Sequence, residues 1–238
     1  MVTLTYQERF KTLKGVFDEF TNRTLFELQS RDHFDELISP VIVGKESNVF
    51  LASKGKDKVI IKIYRIQNCD FNRMFDYIKK DPRYEFMKKH PRQIIMAWTQ
   101  REYKNLMRAQ EAGIRAPKPI AVMNHILVEE MIGNKEPAPM LKDVKPQDAQ
   151  KFFSLIIKDI EKLYKRGLIH GDLSSFNILN YEEKPYFIDF SQATLTKTPN
   201  SRELLERDIR NILNFFSKLG LKENEGKILK NIVETGPI

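Results

Sequence analysis

Cysteine is almost missing from this chain. Of its 238 residues only Cys69 carries a thiol, so no disulfide can form within it. That composition suits a reducing compartment, and a cytoplasmic protein is expected. Long apolar runs are missing as well. The opening MVTLTYQERFKTLKGVFDEF breaks its apolar residues with charges every few positions, so neither a signal peptide nor a membrane span is expected there. No internal repeat and no low-complexity tract occurs, which excludes solenoids and biased linkers. What remains is a globular composition, 30% charged and 41% hydrophobic, long enough for one sizeable core or two small lobes. The net charge of +8 permits a polyanionic partner such as nucleic acid, and a lysine-rich solvated surface gives the same number.

Periodicity divides the chain. Tyr6, Phe10, Leu13, Phe17 and Phe20 recur at helical steps behind a capping box of Thr5 and Glu8, predicting a helical extension over residues 1–39 with no winged helix or other separate module. From Pro40 short β-runs follow: VIV (41–43), NVFLAS (48–53) and KVIIKIY (58–64), the last two joined by a turn at Lys54-Gly55-Lys56-Asp57. The link Gly44-Lys45-Glu46-Ser47 can offer backbone N–H groups, a hydroxyl and a charge to phosphate, though one glycine between strands is usually just a turn. Lys62 interrupts a run that otherwise looks buried on both faces, and a buried ammonium needs a charged partner. A helix over Trp98 to Gly113 offers Glu102 as that partner. Thr99 and Glu102 also fit a capping box, which would turn the carboxylate back onto the backbone.

The stretch from Arg65 to Ala97 is long for a loop, which points to a functional or mobile segment. Its Lys79, Lys80, Lys88, Lys89 and Arg92 are interleaved with Phe75, Tyr77, Tyr84 and Phe86, a pattern compatible with RNA contact or with packed rings and wet lysines. Two further strands, 120–123 and Ile126 to Ile132, lead through Gly133-Asn134 into a proline-containing connection. A helix over Gln147 to Arg166 and two more near 201–219 and 223–233 complete the chain.

The densest chemistry lies in HGDLSSFNIL (170–179) and YFIDFSQ (186–192). Asp172, Asn177 five residues later and Asp189 twelve beyond that lie beside the apolar runs Leu168–Ile169, Ile178–Leu179 and Tyr186–Ile188. An acceptor for a hydroxyl proton, an amide oxygen and a carboxylate at this spacing are what magnesium-dependent phosphoryl transfer requires. A structural alternative is a satisfied loop and a turn cap.

GKESNVF, IKIYRI followed by FNRMFDYIKKDPRY, WTQREYKNL, HGDLSSFNIL and DFSQA, in this order, resemble the RIO-type atypical serine/threonine protein kinases of the subfamily without an N-terminal winged helix. The resemblance spans about residues 40–220. It implies an α+β, two-lobed protein-kinase-like fold, with an N-lobe over 40–132 carrying a long loop near 66–97, and a trimmed C-lobe over 133–238 without the usual activation segment and peptide-docking region. It implies ATP with Mg2+ (or Mn2+) and assigns Asp172 as catalytic base, Asn177 and Asp189 to the metal and Lys62 to the phosphates, with Glu102 still open between pairing with Lys62 and capping its helix. Gly44, Lys45, Glu46, Ser47, Asn48 and Val49 would cover the phosphates, and the backbone of Glu130 and Ile132 would face adenine. It also implies a role in small ribosomal subunit maturation with a pre-ribosomal partner, and an aspartyl-phosphate at Asp189, hence ATPase activity; the short segment after Asp189, too small for the usual peptide docking, leads to the expectation of autophosphorylation or one dedicated substrate.

The chain departs from ordinary protein kinases at three points. Gly171 stands where an arginine would read a phosphorylated activation loop. Ser174 replaces a lysine near the transferred phosphate, and the 49 residues after Asp189 contain no APE signature. Within the family pattern Glu129 occupies an expected apolar position, and Ile42 and Val43 replace small hydroxyl residues. Competing readings are a small-molecule kinase of the aminoglycoside or choline type, the small kinase of a tRNA-modifying complex, and a ribosome-binding ATP switch without a true kinase substrate.

Overall fold

The computed structural model describes residues 17–66, 69–84 and 87–236. The expected helix around Tyr6, Phe10 and Leu13 lies outside the described residues, as does Phe86.

Strands β1 (Glu36–Val43), β2 (Ser47–Lys54), β3 (Asp57–Tyr64), β4 (Pro119–Met123) and β5 (Ile126–Glu130) form an antiparallel sheet in the order β1-β2-β3-β5-β4. The two-residue period of β3 explains both faces. Val59, Ile61 and Ile63 pack with Phe50, Ile126 and Val128 beneath helix α1 (Glu19–Ser30), which contributes Leu25 and Leu28. Ile60, Lys62 and Tyr64 face the other way. Helix α1 starts where Asp18 accepts the Thr21 N–H at 2.7 Å. It docks on the β4–β5 turn, where Thr21 Oγ1 lies 2.9 Å from His125 Nε2 and the Phe20 ring stacks on the imidazole.

The stretch 65–97 is largely ordered rather than a loop, a correction to the expectation. It holds α2 (Phe71–Lys79), a 3-10 turn at Pro82–Tyr84 and the start of α3 (Pro91–Glu111). Asp70 caps α2 through the Arg73 N–H at 3.0 Å, and Pro91 opens α3, where a missing N–H costs nothing. Met74 and Ile78 of α2 bury against Ile94, Ile95 and Trp98 of α3. The expected start at Trp98 missed this first part of the helix because its apolar partners come from α2 and not from a longer periodic run.

The second body comprises α4 (Ala149–Lys165), the short strands β6 (Leu168–Ile169), β7 (Ile178–Tyr181), β8 (Lys184–Phe187) and β9 (Thr194–Leu195), α5 (Ser201–Ser217) and α6 (Glu225–Glu234). Phe152, Ile156, Ile160, Phe187, Phe190, Ile209 and Phe216 form its core, and Leu106 of α3 and Leu127 of β5 join the same cluster. The sheet and the helical body are thus welded through α3, and a cleft opens beside that weld. No helix among the described residues is long and apolar enough to cross a membrane.

Candidate active site

Lys62 sits mid-sheet, opposite Val49 of β2 and Leu127 of β5, and is 6% exposed. Its Nζ lies 2.9 Å from Glu102 Oε1 and 3.0 Å from Asp189 Oδ1. Burial works against the ammonium, but Asp189 and Glu102 outweigh it and hold Lys62 charged, well above the ordinary lysine range. The capping-box alternative for Glu102 fails: Thr99 is inside α3 and donates to the Ile95 carbonyl at 2.8 Å. Tyr64, two residues along the same face of β3, donates its hydroxyl to Glu102 Oε2. No sequence signal distinguished that tyrosine from an ordinary buried one.

The loop after β6 carries Asp172. Gly171 precedes it at φ +76°, where an added Cβ would stand 3.0 Å from the Gln192 carbonyl oxygen, so glycine suits this turn on both counts. Buried Asp208 of α5 fixes the turn by accepting the Gly171 N–H at 2.7 Å and the Leu173 N–H at 2.8 Å. Asn177 Nδ2 donates to the Asp172 carbonyl at 2.8 Å and to its Oδ2 at 3.3 Å, and Gln192 Nε2 donates to the same Oδ2 at 3.1 Å. Burial and the nearby Asp189 charge raise the Asp172 carboxyl above the ordinary aspartate range.

Asp189 follows β8 in the left-handed region, φ +61°, uncommon for a non-glycine residue and frequent at functional sites. Its Oδ1 accepts from Lys62 and, at 2.7 Å, from Ser191 Oγ. Burial opposes its charge, yet Lys62 and Ser191 prevail and bring its pKa down to about 2. Oδ2 has no partner among the described residues, and the Asn177 amide, with its nitrogen engaged, has its oxygen left over. No three His, Cys, Asp or Glu side chains among the described residues form a protein-only cage. An aspartate oxygen plus an amide oxygen is the sparse set that magnesium takes when phosphates and water complete its shell. One ammonium is shared by Glu102 and Asp189. The uncompensated negative charge fits a divalent cation.

A cavity of about 800 Å3 opens beside these groups. Of the expected residues, Gly44, Lys45, Glu46, Ser47, Val49, Lys62, Glu130, Ile132, Asn177 and Asp189 line it. The Gly44–Ser47 turn closes with Gly44 N–H on the Ser47 carbonyl at 2.9 Å. Asn48, expected at the nucleotide, does not line the cavity. Strand alternation turns its amide away, and its Oδ1 accepts from Arg65 Nη2 at 3.1 Å. Glu102 stays behind Lys62, and Asp172 stands outside the cavity lining beside Asn177. Ile60, Met140, Leu179 and Ile188 supply apolar walls that no motif announced. The Ile132 carbonyl accepts from Ala138 N–H at 2.8 Å, and the Ile132 N–H has no backbone partner among the described residues.

A family model described as the RIO domain matches residues 48–228, which is most of the chain. The chain belongs to the RIO family. This RIO chain is 44% identical over 237 residues to the RIO-type serine/threonine-protein kinase Rio1 of Methanocaldococcus jannaschii, spanning 98% of itself and 81% of that protein. To the protein of the same name from Haloferax volcanii it is 40% identical over 215 residues, spanning 90% and 74%. Its fold is protein-kinase-like. It matches the crystal structure of the Rio2 kinase–ADP/Mg2+–phosphoaspartate complex from Chaetomium thermophilum with a TM-score of 0.71 at 25% identity, covering 90% of this chain and 65% of that one.

Proposed function

We propose that the chain is an ATP-dependent, magnesium-using serine/threonine protein kinase. The observation that carries this reading is Lys62, held between Glu102 on α3 and Asp189 after β8 at the edge of the cavity. Relatives at 40–44% identity are named serine/threonine-protein kinases, which supports it. Lys62 Nζ binds the ATP phosphates and Glu102 keeps it aimed. Glu130 and Ile132 offer backbone to the base, and the Gly44–Ser47 turn offers N–H groups to the phosphates. Asp189 and Asn177 would hold Mg2+ (Mn2+ meets the same oxygen preference), which when bound neutralises phosphate charge. Asp172 accepts the proton of a serine or threonine hydroxyl as its oxygen bonds to the terminal phosphorus and the bond to ADP breaks.

A second outcome uses the same site. The Chaetomium Rio2 structure holds a phosphoaspartate, and Asp189 Oδ2 is left without a partner here. Attack by that oxygen on the terminal phosphorus would release ADP, and water would then free phosphate, giving an ATPase. The cellular setting we propose is maturation of the small ribosomal subunit in the cytoplasm, in keeping with the net charge of +8 and the lone Cys69. Incubation with ATP labelled on the terminal phosphate separates these outcomes. Label on serine means kinase, label in an acid-labile acyl phosphate means phosphoenzyme, and neither label nor released phosphate would defeat the reading.

A further inference from the structure

We propose that Glu129 reads the nucleobase, its carboxyl pairing with the 6-amino edge of an adenine ring and turning away a 6-oxo purine. The inference rests on the cavity being the nucleotide site.

Strand alternation sets the direction. Ile126 and Val128 of β5 enter the core beneath α1, so Leu127 and Glu129 face the same side as Lys62. Glu129 pairs with Ile60 across the sheet and lines the cavity between apolar neighbours Ile60, Ile132, Met140, Leu179 and Ile188. A flat ring sandwiched by those side chains would present an edge to the carboxyl. Glu129 is 8% exposed, yet it makes no hydrogen bond or ion pair with any described residue. Its carboxyl opens onto the cavity, at a position where the family expectation was an apolar side chain. A single carboxyl in that stretch of apolar wall points at a polar edge of a ligand.

The charged groups facing Glu129 are Glu102 from α3, Lys62 from β3 and Asp189 from the loop after β8. Lys62 is already shared by the two other carboxylates. Burial, with Glu102 adding to it, raises Glu129 to about 8. At neutral pH it is mostly a neutral acid, one O–H donor beside one carbonyl acceptor. That pair matches the adenine N6–H donor and N7 acceptor, as a glutamine or asparagine amide does. A guanine edge shows two acceptors, O6 and N7, so the carbonyl oxygen would meet a lone pair. With its N7 edge on Glu129, the opposite edge of adenine is left for the backbone N–H of Ile132.

The test is calorimetric titration of the full chain with ATP and with GTP, magnesium present, at pH 7. Wild type and Glu129→Gln, which copies the neutral acid, should prefer ATP by roughly 10- to 100-fold. Glu129→Met, apolar and close in size, should bring the ratio to within a few-fold. In a second arm, ATP affinity of wild type should fall as pH rises through about 8, as the donor proton is lost, while Glu129→Gln stays flat. An unchanged ATP-to-GTP ratio in Glu129→Met, with ATP still bound, overturns the Glu129 assignment alone. Failure of folded wild type to bind either nucleotide overturns both the assignment and the nucleotide-site reading beneath it.

Discussion

Asn105 on α3 grips the carbonyl of Phe190, one residue past Asp189, at 3.0 Å, and the same amide nitrogen reaches the Ala193 carbonyl at 2.8 Å. Arg101, one turn earlier, donates to the Ser191 carbonyl at 3.0 Å. The helix that carries Glu102 therefore also fastens the backbone bearing Asp189. Asn105→Asp keeps the size and the acceptor for Arg83 but removes both donations. Two buried carbonyls without donors should cost about 2 kcal/mol of stability. Phosphate transfer should drop at least about tenfold, with the magnesium dependence shifted to higher concentration, because Asp189 loses its rail. Urea unfolding and a magnesium titration of the rate check both. An unshifted magnesium dependence would mean that the clamp only stabilises the fold.

Lys62→Met should lower phosphate transfer by about three orders of magnitude while changing ATP affinity much less, since on the proposed reading the ammonium serves charge that develops during transfer. Removing it leaves Glu102 and Asp189 facing each other without their shared cation, so magnesium should become a larger contributor to thermal stability than in wild type. Single-turnover rates and melting with and without magnesium are the measurements. Unchanged turnover would reduce the ion pair to a structural one.

Asp172→Ala and Asp189→Asn should fail differently. The first removes the proposed proton acceptor and should abolish label on protein hydroxyls, with nucleotide binding nearly intact. On the proposed reading the second removes an anionic magnesium ligand and the oxygen that would accept the phosphoryl group, so magnesium-dependent binding and all phosphate release should fall. If Asp172→Ala still labels serine at the wild-type rate, its role as base is lost.

Much of this site was legible because its chemistry contradicts its surroundings. Lys62 in an apolar strand demanded a counter-charge, and the 172–177–189 spacing demanded a common destination. The ambiguity between Glu102 as ion-pair partner and as cap was real in the sequence, since both readings use the same two residues; only the start of α3 at Pro91 decides it. That start was hidden because Ile94 and Ile95 bury against α2, a partner that periodicity within one helix does not reveal. Tyr64, Ser191, Gln192 and Asn105 were missed for a related reason. Each acts through a contact distant in sequence, and an isolated polar residue carries no mark of such a partner. Asn48 was over-read: it belongs to the loop motif but alternation points its side chain outward.

The seat of α1 should be sensitive to acid. Thr21 Oγ1 and the Phe20 ring hold the His125 imidazole, which is buried, and its Nδ1 finds no partner among the described residues. Burial lowers the histidine from 6.5 to about 4, with the Asp18 charge only partly opposing it. Between those two values the unfolded chain binds a proton that the folded chain refuses, so the slope of stability against pH is positive there. Stability from this group is complete above about pH 6.5 and drains away as pH falls toward 4, to a total of about 3 kcal/mol. His170, also buried and lowered to about 4, adds a loss of the same sign, so the comparison must be with a variant. In His125→Gln, which has nothing to titrate, the decline between pH 6.5 and 4 should be shallower, and the gap to wild type should narrow or invert on acidification. Urea unfolding at pH 7, 5.5 and 4.5 measures it, and parallel curves for the two proteins would show that His125 is not the group that takes up the proton.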